Sequence, residues 1–270
     1  MRSYAVGRLR GRTPGFSLIE LLVVVGIIGV LAGLIMPALS IARDRAKVGV
    51  CRARLNQLGL AITLYADQHD ERIPRGPACT GPFDFTCAQV ATNQLWIGRL
   101  IAAHPDESNG LGVLLEQHED AVEMFFCPDD DTGNHEEELP RIGTALDAYG
   151  SYMYRQLDQL PPLGSQGTLS RLGTNTVDDV KVPVEALALD TNSLGPGPLR
   201  HTNHAGARVN ILYRDTSVRT LLNDDGTFTI PGDAFQSPEG ILNRLDQILI
   251  NADYSYQHDP VDAPRIDSPL

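Results

Sequence analysis

The chain has 270 residues, 42% of them apolar, which suits one or two packed domains and excludes wholesale disorder. A net charge of -12 argues against a nucleic-acid grip, which needs a basic face to neutralise phosphates. Four cysteines are too few for a disulfide scaffold.

The charge is unevenly placed. Residues 1–54 carry nine Arg/Lys against Glu20 and Asp44, a net of +7, which leaves -19 for the rest. A basic N-terminus and an acidic body read as two environments.

Leu21 to Leu39 is an uncharged run of nineteen residues. As a helix it spans roughly 28 Å, about one hydrocarbon thickness. Helix is the expected form, because lipid offers no partner to an open backbone amide. Arg2, Arg8, Arg10 and Arg12 precede it, and the positive-inside rule then leaves the N-terminus cytoplasmic. Arg43, Arg45 and Lys47 follow the span and oppose that rule, so charge sets the orientation only weakly. A cleaved secretory signal is the competing reading, but its apolar region is usually ~7–15 residues and ends in a small-residue site. A plain signal anchor is the other alternative.

Glu20 separates these readings. A carboxylate at the mouth of an apolar run is costly unless paired. The segment Gly15-Phe16-Ser17-Leu18-Ile19-Glu20-Leu21-Leu22-Val23-Val24-Val25 closely resembles the prepilin signature of type IV pilins and type II secretion pseudopilins. The resemblance implies cleavage between Gly15 and Phe16 on the cytoplasmic side by a prepilin peptidase, which also methylates the new amine of Phe16. It also implies that Glu20 pairs with a neighbouring subunit's terminal amine and so registers each subunit. Gly26, Gly29 and Gly33 are spaced for close helix contact in a membrane, although Gly is also simply common there. Pro37 lies in the last turns of the span, where a kink is expected; pilins commonly have a Pro at this distance.

Past the membrane, Val48, Cys51, Leu55, Leu58, Ile62 and Tyr65 recur in steps of three and four, one apolar helix face. The spacing predicts one helix from near Ser17 to near Asp70, ended by Arg72-Ile73-Pro74. So long a polar continuation is not stable alone and should dock its stripe on the body, as pilin-like proteins do. A free coiled coil is the alternative.

Within residues 75–270, Cys79 and Cys87 stand in a short Gly/Pro-bounded loop. With the body outside the cytoplasm, a Cys79–Cys87 bridge is expected, although four cysteines allow three complete pairings. Cys51 reads as a buried thiol, and Cys127 as free or paired with one of the loop cysteines. The absence of a CxxC pair speaks against zinc. Trp96, Ile97, Leu100 and Ile101 fit one helix face, and Leu111, Val113, Leu114 and Leu115 begin another. Asp129-Asp130-Asp131-Thr132-Gly133-Asn134 has the flavour of a calcium loop but fails the EF-hand spacing, so a solvated acidic turn is the plainer reading.

From residue 182 the pattern turns to strands: 186–190, 208–213, 217–222 and 227–230, the last after an Asp225-Gly226 turn. About four antiparallel strands are predicted. This stretch carries a second resemblance, to a large bacterial pseudopilin-like group. It rests on Arg200-His201, Asn210 to Val218, Phe126-Cys127-Pro128, Gly150-Ser151-Tyr152 and Leu189-Asp190-Thr191. The chain departs from that group in its His-to-Asp spacing, with ten residues between His204 and Asp215 and thirteen from His201, and in Thr216 where the group has Gly.

His201, His204, Asp190 and Asp215 are candidate metal ligands; structural, hydrogen-bonded histidines are the alternative. No nucleophile elbow and no phosphate loop is present, so no enzyme and no cofactor are expected, calcium at the acidic turn excepted. Helical spacing returns at Ile241, Leu242, Leu245, Ile248 and Leu249.

The chain thus reads as an α+β, pilin-like protein. Residues 1–15 form a cleaved leader, 16–40 a transmembrane helix, 41–74 its extramembrane continuation, 75–252 a periplasmic head with a small antiparallel sheet, and 253–270 a loose polar tail. The resemblance implies a single-pass bacterial inner-membrane subunit that enters a pilus or type II secretion pseudopilus. Its implied partners are a prepilin peptidase/N-methyltransferase, an inner-membrane assembly platform, other pilin-like subunits and the bilayer, with no nucleic acid. A static membrane-anchored binding module is the alternative.

Overall fold

A computed structural model describes residues 17–76, 91–98, 107–131, 133, 135–156, 174–177, 180–196 and 200–258. The chain divides into two compact units, 1–45 and 46–270, each described by itself.

Helix α1 (Leu18–Gln68) is unbroken through Pro37. In the first unit its large apolar side chains from Leu18 to Ile41 are exposed. Among the described residues it is the one helix long and apolar enough to cross a membrane. In the second unit the character changes: Cys51, Leu55, Leu58, Ala61, Ile62 and Ala66 are buried, as the stripe predicted. The helix stops because Asp70 and Glu71 turn left-handed (φ 55° and 63°), which lets Glu71 N–H close a wide turn onto the Ala66 carbonyl at 2.8 Å.

The strands are β1 (Ala91–Ile97), β2 (Glu107–Ser108), β3 (Ala148–Arg155), β4 (Thr174–Val177), β5 (Val180–Pro183), β6 (Ala186–Asp190), β7 (Asn192–Leu194), β8 (Arg200–Thr202), β9 (Arg208–Tyr213) and β10 (Val218–Leu222). Six of them form one antiparallel sheet in the order β10-β9-β6-β3-β1-β2, while β4-β5 and β7-β8 are two-stranded. The 3-10 turns at Gly110–Gln117 and Glu119–Phe125 and the short α2 (His135–Glu138) connect β2 to β3.

Both faces of the sheet are covered, which explains why β6 is buried along its whole length. Leu187 and Ala188 of β6, with Tyr152, Tyr154 and Leu212, pack against the α1 stripe. Ala186 and Leu189, with Val209, Ile211 and Tyr213, pack against Leu245, Ile248, Leu249 and Ala252 of α3 (Pro238–Gln257). Gly59 lets α1 approach closely: a Cβ there would lie 2.8 Å from Leu212 Cδ1.

The structure corrects several expectations. Trp96 and Ile97 lie on β1, not on a helix, and six strands pair where about four were predicted. The stretch 227–230 is not a hairpin strand. Asn223 Oδ1 takes the Phe228 N–H at 2.8 Å and folds the segment over, and Ile230 bridges to Ser193 of β7 instead. Nor does the ordered head stop at 252: α3 continues to Gln257, and Asp253 is fully buried. Gly15, Phe16, Cys79, Cys87, Leu100 and Ile101 lie outside the described residues.

Candidate functional site

In the first unit, Ser17 and Glu20 form a reciprocal helix start. Ser17 N–H donates to Glu20 Oε2 at 2.9 Å, and Ser17 Oγ accepts from Ile19 N–H at 3.4 Å. This is a capping box, Ser-x-x-Glu, which satisfies donors that an apolar medium would leave open. The sequence reading gave Glu20 a role toward another chain and missed this local one, although the spacing was visible. Among the described residues, a Cβ at Gly26, Gly29 or Gly33 would meet nothing within 4 Å.

The second unit gathers its polar chemistry beneath α1. Cys51 on α1, Cys127 after the 3-10 turn, Asp190 at the end of β6 and His204 after β8 place one donor atom each within 4.8 Å of one another, all buried. The Cys51 thiol donates to Asp190 Oδ1 at 3.2 Å and sits 3.4 Å from the Tyr152 hydroxyl. Cys127 Sγ lies 3.5 Å from His204 Nε2, which is 3.4 Å from Asp190 Oδ2. Asn210 of β9 supports Asp190 Oδ2 through its backbone N–H (2.7 Å) and side-chain amide (2.9 Å); that amide is also 3.0 Å from His204 Nε2. His204 Nδ1 meets Asp129 Oδ2 at 3.2 Å, and Asp129 in turn pairs with Lys47 of α1.

Burial pushes the Cys51 thiol up, as it does the Tyr152 hydroxyl. The Cys127 thiol is held down, chiefly by the neighbouring Cys51 thiol and also by His204, against the effect of burial. Burial raises Asp190, partly offset by His204. Burial opposes charge on His204, but the hydrogen bond to Cys127 and the Asp190 carboxylate outweigh it and hold the imidazole up at about 9.

Of the four predicted metal candidates, the fold therefore brings together His204 and Asp190 and separates the other two. His201 stands beside Asp130, at 4.0 Å. Asp215 lies in the β9–β10 turn, where it accepts from Ser217 N–H (2.9 Å) and the Tyr256 hydroxyl (3.0 Å). Cys51 and Cys127, both free thiols, take their places. The acidic turn is bonded to protein: besides the Asp129 contacts, Asp130 accepts from Ser151 Oγ at 2.6 Å and Asp131 from Thr202 Oγ1 at 2.5 Å.

Residues 10–36 match the family described as the prokaryotic N-terminal methylation motif. Over 56 residues the chain is 39% identical to the type II secretion system core protein G of Pseudomonas aeruginosa, a stretch covering 21% of this chain and 39% of that protein. The chain thus spans about two fifths of that relative's length. No solved structure matches it. The prepilin-type signature read from residues 15–25 is therefore present. The motif opens a helix long and apolar enough to cross a membrane, and the residues after it form an α+β head.

Proposed function

We propose that this chain is a subunit of a pilus or of a type II secretion pseudopilus, inserted in the bacterial inner membrane with its head in the periplasm. A prepilin peptidase removes residues 1–15 and methylates Phe16, and an assembly platform then moves the subunit into a filament of pilin-like chains. The observation that carries this reading is the methylation motif at residues 10–36, with an acid inside its apolar run. An unpaired carboxylate there is costly in lipid, so its place is best explained by a partner charge, and the terminal amine of a neighbouring subunit supplies one. The apolar side chains from Leu18 to Ile41, exposed in the single chain, are what helices bundled in a filament core would bury. The role is mechanical: binding energy between helices holds position, and no bond is made or broken by the head.

Fractionation tests the assembly. In cells with the peptidase and platform, the chain should appear in sheared or membrane-attached filaments and cross-link to neighbours through residues 16–40. Confinement to the membrane as a lone subunit, with that machinery active, contradicts the reading.

A further inference from the structure

We propose that Cys51, Cys127, Asp190 and His204 form a tetrahedral site for one zinc ion that staples the long helix to the sheet.

The geometry has the size such an ion requires. With Zn–S near 2.3 Å and Zn–N or Zn–O near 2.0–2.2 Å, the edges of a tetrahedron are roughly 3.3–3.8 Å. Cys127 Sγ to His204 Nε2 is 3.5 Å and His204 Nε2 to Asp190 Oδ2 is 3.4 Å, while Cys51 Sγ lies 3.2 Å from the other oxygen of Asp190; one donor atom from each residue falls within 4.8 Å of the other three, so an ion would draw the wider pairs in. Two sulfurs with an imidazole select a borderline-soft divalent cation over calcium or magnesium, which take oxygen. Four protein ligands, all buried, make a closed structural site with no position for a reacting water.

Each ligand also has its own orienting partner, as metal ligands generally do. The Tyr152 hydroxyl faces Cys51 Sγ, Asp129 N–H donates to Cys127 Sγ at 3.4 Å, and Asn210 N–H donates to Asp190. Asp129 Oδ2 accepts from His204 Nδ1, which directs Nε2 at the sulfur and the carboxylate. The backbone is strained to achieve this. His204 and Ala205 both lie at φ 52°, a left-handed conformation that L-residues adopt at a cost. Structure-determining bonds hold it there, among them His204 N–H to the Asp129 carbonyl at 3.1 Å.

On binding, the two thiols ionise and their protons leave to solvent, so affinity rises with pH and is lost in acid. The four ligands come from four elements, with Cys51 and Asp190 139 positions apart, so the ion joins α1, the Cys127 turn, β6 and the β8–β9 link. The inference stands apart from the filament reading, and its failure would leave that reading untouched.

The test uses the full chain purified in detergent without reductant or chelator. Elemental analysis should find one zinc per chain, and both thiols should resist alkylation until a chelator is added. Cobalt(II) added to chelator-treated protein should give tetrahedral visible bands with thiolate charge transfer. The charge-transfer band should weaken in Cys127→Ser, and the visible bands should shift in Asp190→Asn. If these variants do not fold, the wild-type chain suffices: its melting temperature should rise with the logarithm of zinc concentration and fall with chelator. A Cys51–Cys127 disulfide in peptide maps, with no metal, overturns the proposal. So do two free thiols with no zinc-dependent shift.

Discussion

Arg155 at the end of β3 and Asp253 near the end of α3, 98 positions apart, form a buried ion pair in which Arg155 Nη1 donates to both carboxylate oxygens, at 3.0 and 2.9 Å. Asp253 Oδ1 also accepts from the backbone N–H groups of Glu185 and Ala186, at 2.9 and 2.8 Å, just where β6 begins. One carboxylate thus joins α3 to two strands. Replacing it with Ala leaves a buried guanidinium unpaired and two amides without an acceptor. Asp253→Ala should lower unfolding free energy by about 3–5 kcal/mol in denaturant titration. A change near zero would mean that α3 is not an integral layer of the head.

The α1 stripe makes a positional prediction. Leu58 and Ile62 are fully buried against the sheet, whereas Leu60 and Leu64 on the same stretch are 56% and 49% exposed. Leu58→Ala or Ile62→Ala should cost about 2–5 kcal/mol. Leu60→Ala should stay within about 0.5 kcal/mol. Equal effects at both positions would contradict the docking of this face.

Thr216 is a site where substitution should help. It lies at φ 65° in the tight β9–β10 turn, where Tyr213 N–H reaches the Ser217 carbonyl at 2.9 Å. A β-branched residue is poorly suited to that conformation, and glycine adopts it freely. Thr216→Gly should stabilise the head by about 1 kcal/mol, read as a rise in thermal midpoint. A loss of stability would show that the Thr side chain contributes more than its backbone strain costs.

Glu20 has two separable roles, one local and one between chains. Gln keeps an acceptor for the Ser17 N–H but removes the charge, whereas Val removes both. Glu20→Gln should preserve helix content and membrane insertion yet reduce filament entry, and Glu20→Val should also fray the first turn. If Glu20→Gln assembles as the wild type does, the acid serves the helix start alone.

The stripe from Val48 to Tyr65 and the docked helix were legible in the sequence because a 3.6-residue period is unambiguous over eighteen positions. β1 was not. Its register shifts at Thr92, Gln94 and Trp96 break the two-residue alternation, and Trp96-Ile97 with Leu100-Ile101 falls by chance into helical spacing. In the cluster, His204 and Asp190 were picked out by residue type. Asp215 was grouped with them on the same ground. But β9 runs on from Asn210, the residue that does meet Asp190, to Tyr213, about 10 Å at ~3.3 Å per residue, and Asp215 lies in the turn beyond that end. Cys51 was hidden because a cysteine on an apolar stripe looks like core until the sheet beneath it is known. Cys127 was visible only as part of a Cys-Pro-Asp turn. Asp253 gave no signal at all: its partner Arg155 is 98 positions away, and the polar sequence after it reads as a tail.

The account's central claim is that the N-terminal motif is a processing and assembly signal. Intact mass of the chain recovered from cells with an active prepilin peptidase tests it most directly. The account predicts a chain beginning at Phe16, lighter by residues 1–15 and heavier by one methyl group. A chain that retains residues 1–15 in the presence of the active peptidase would contradict it.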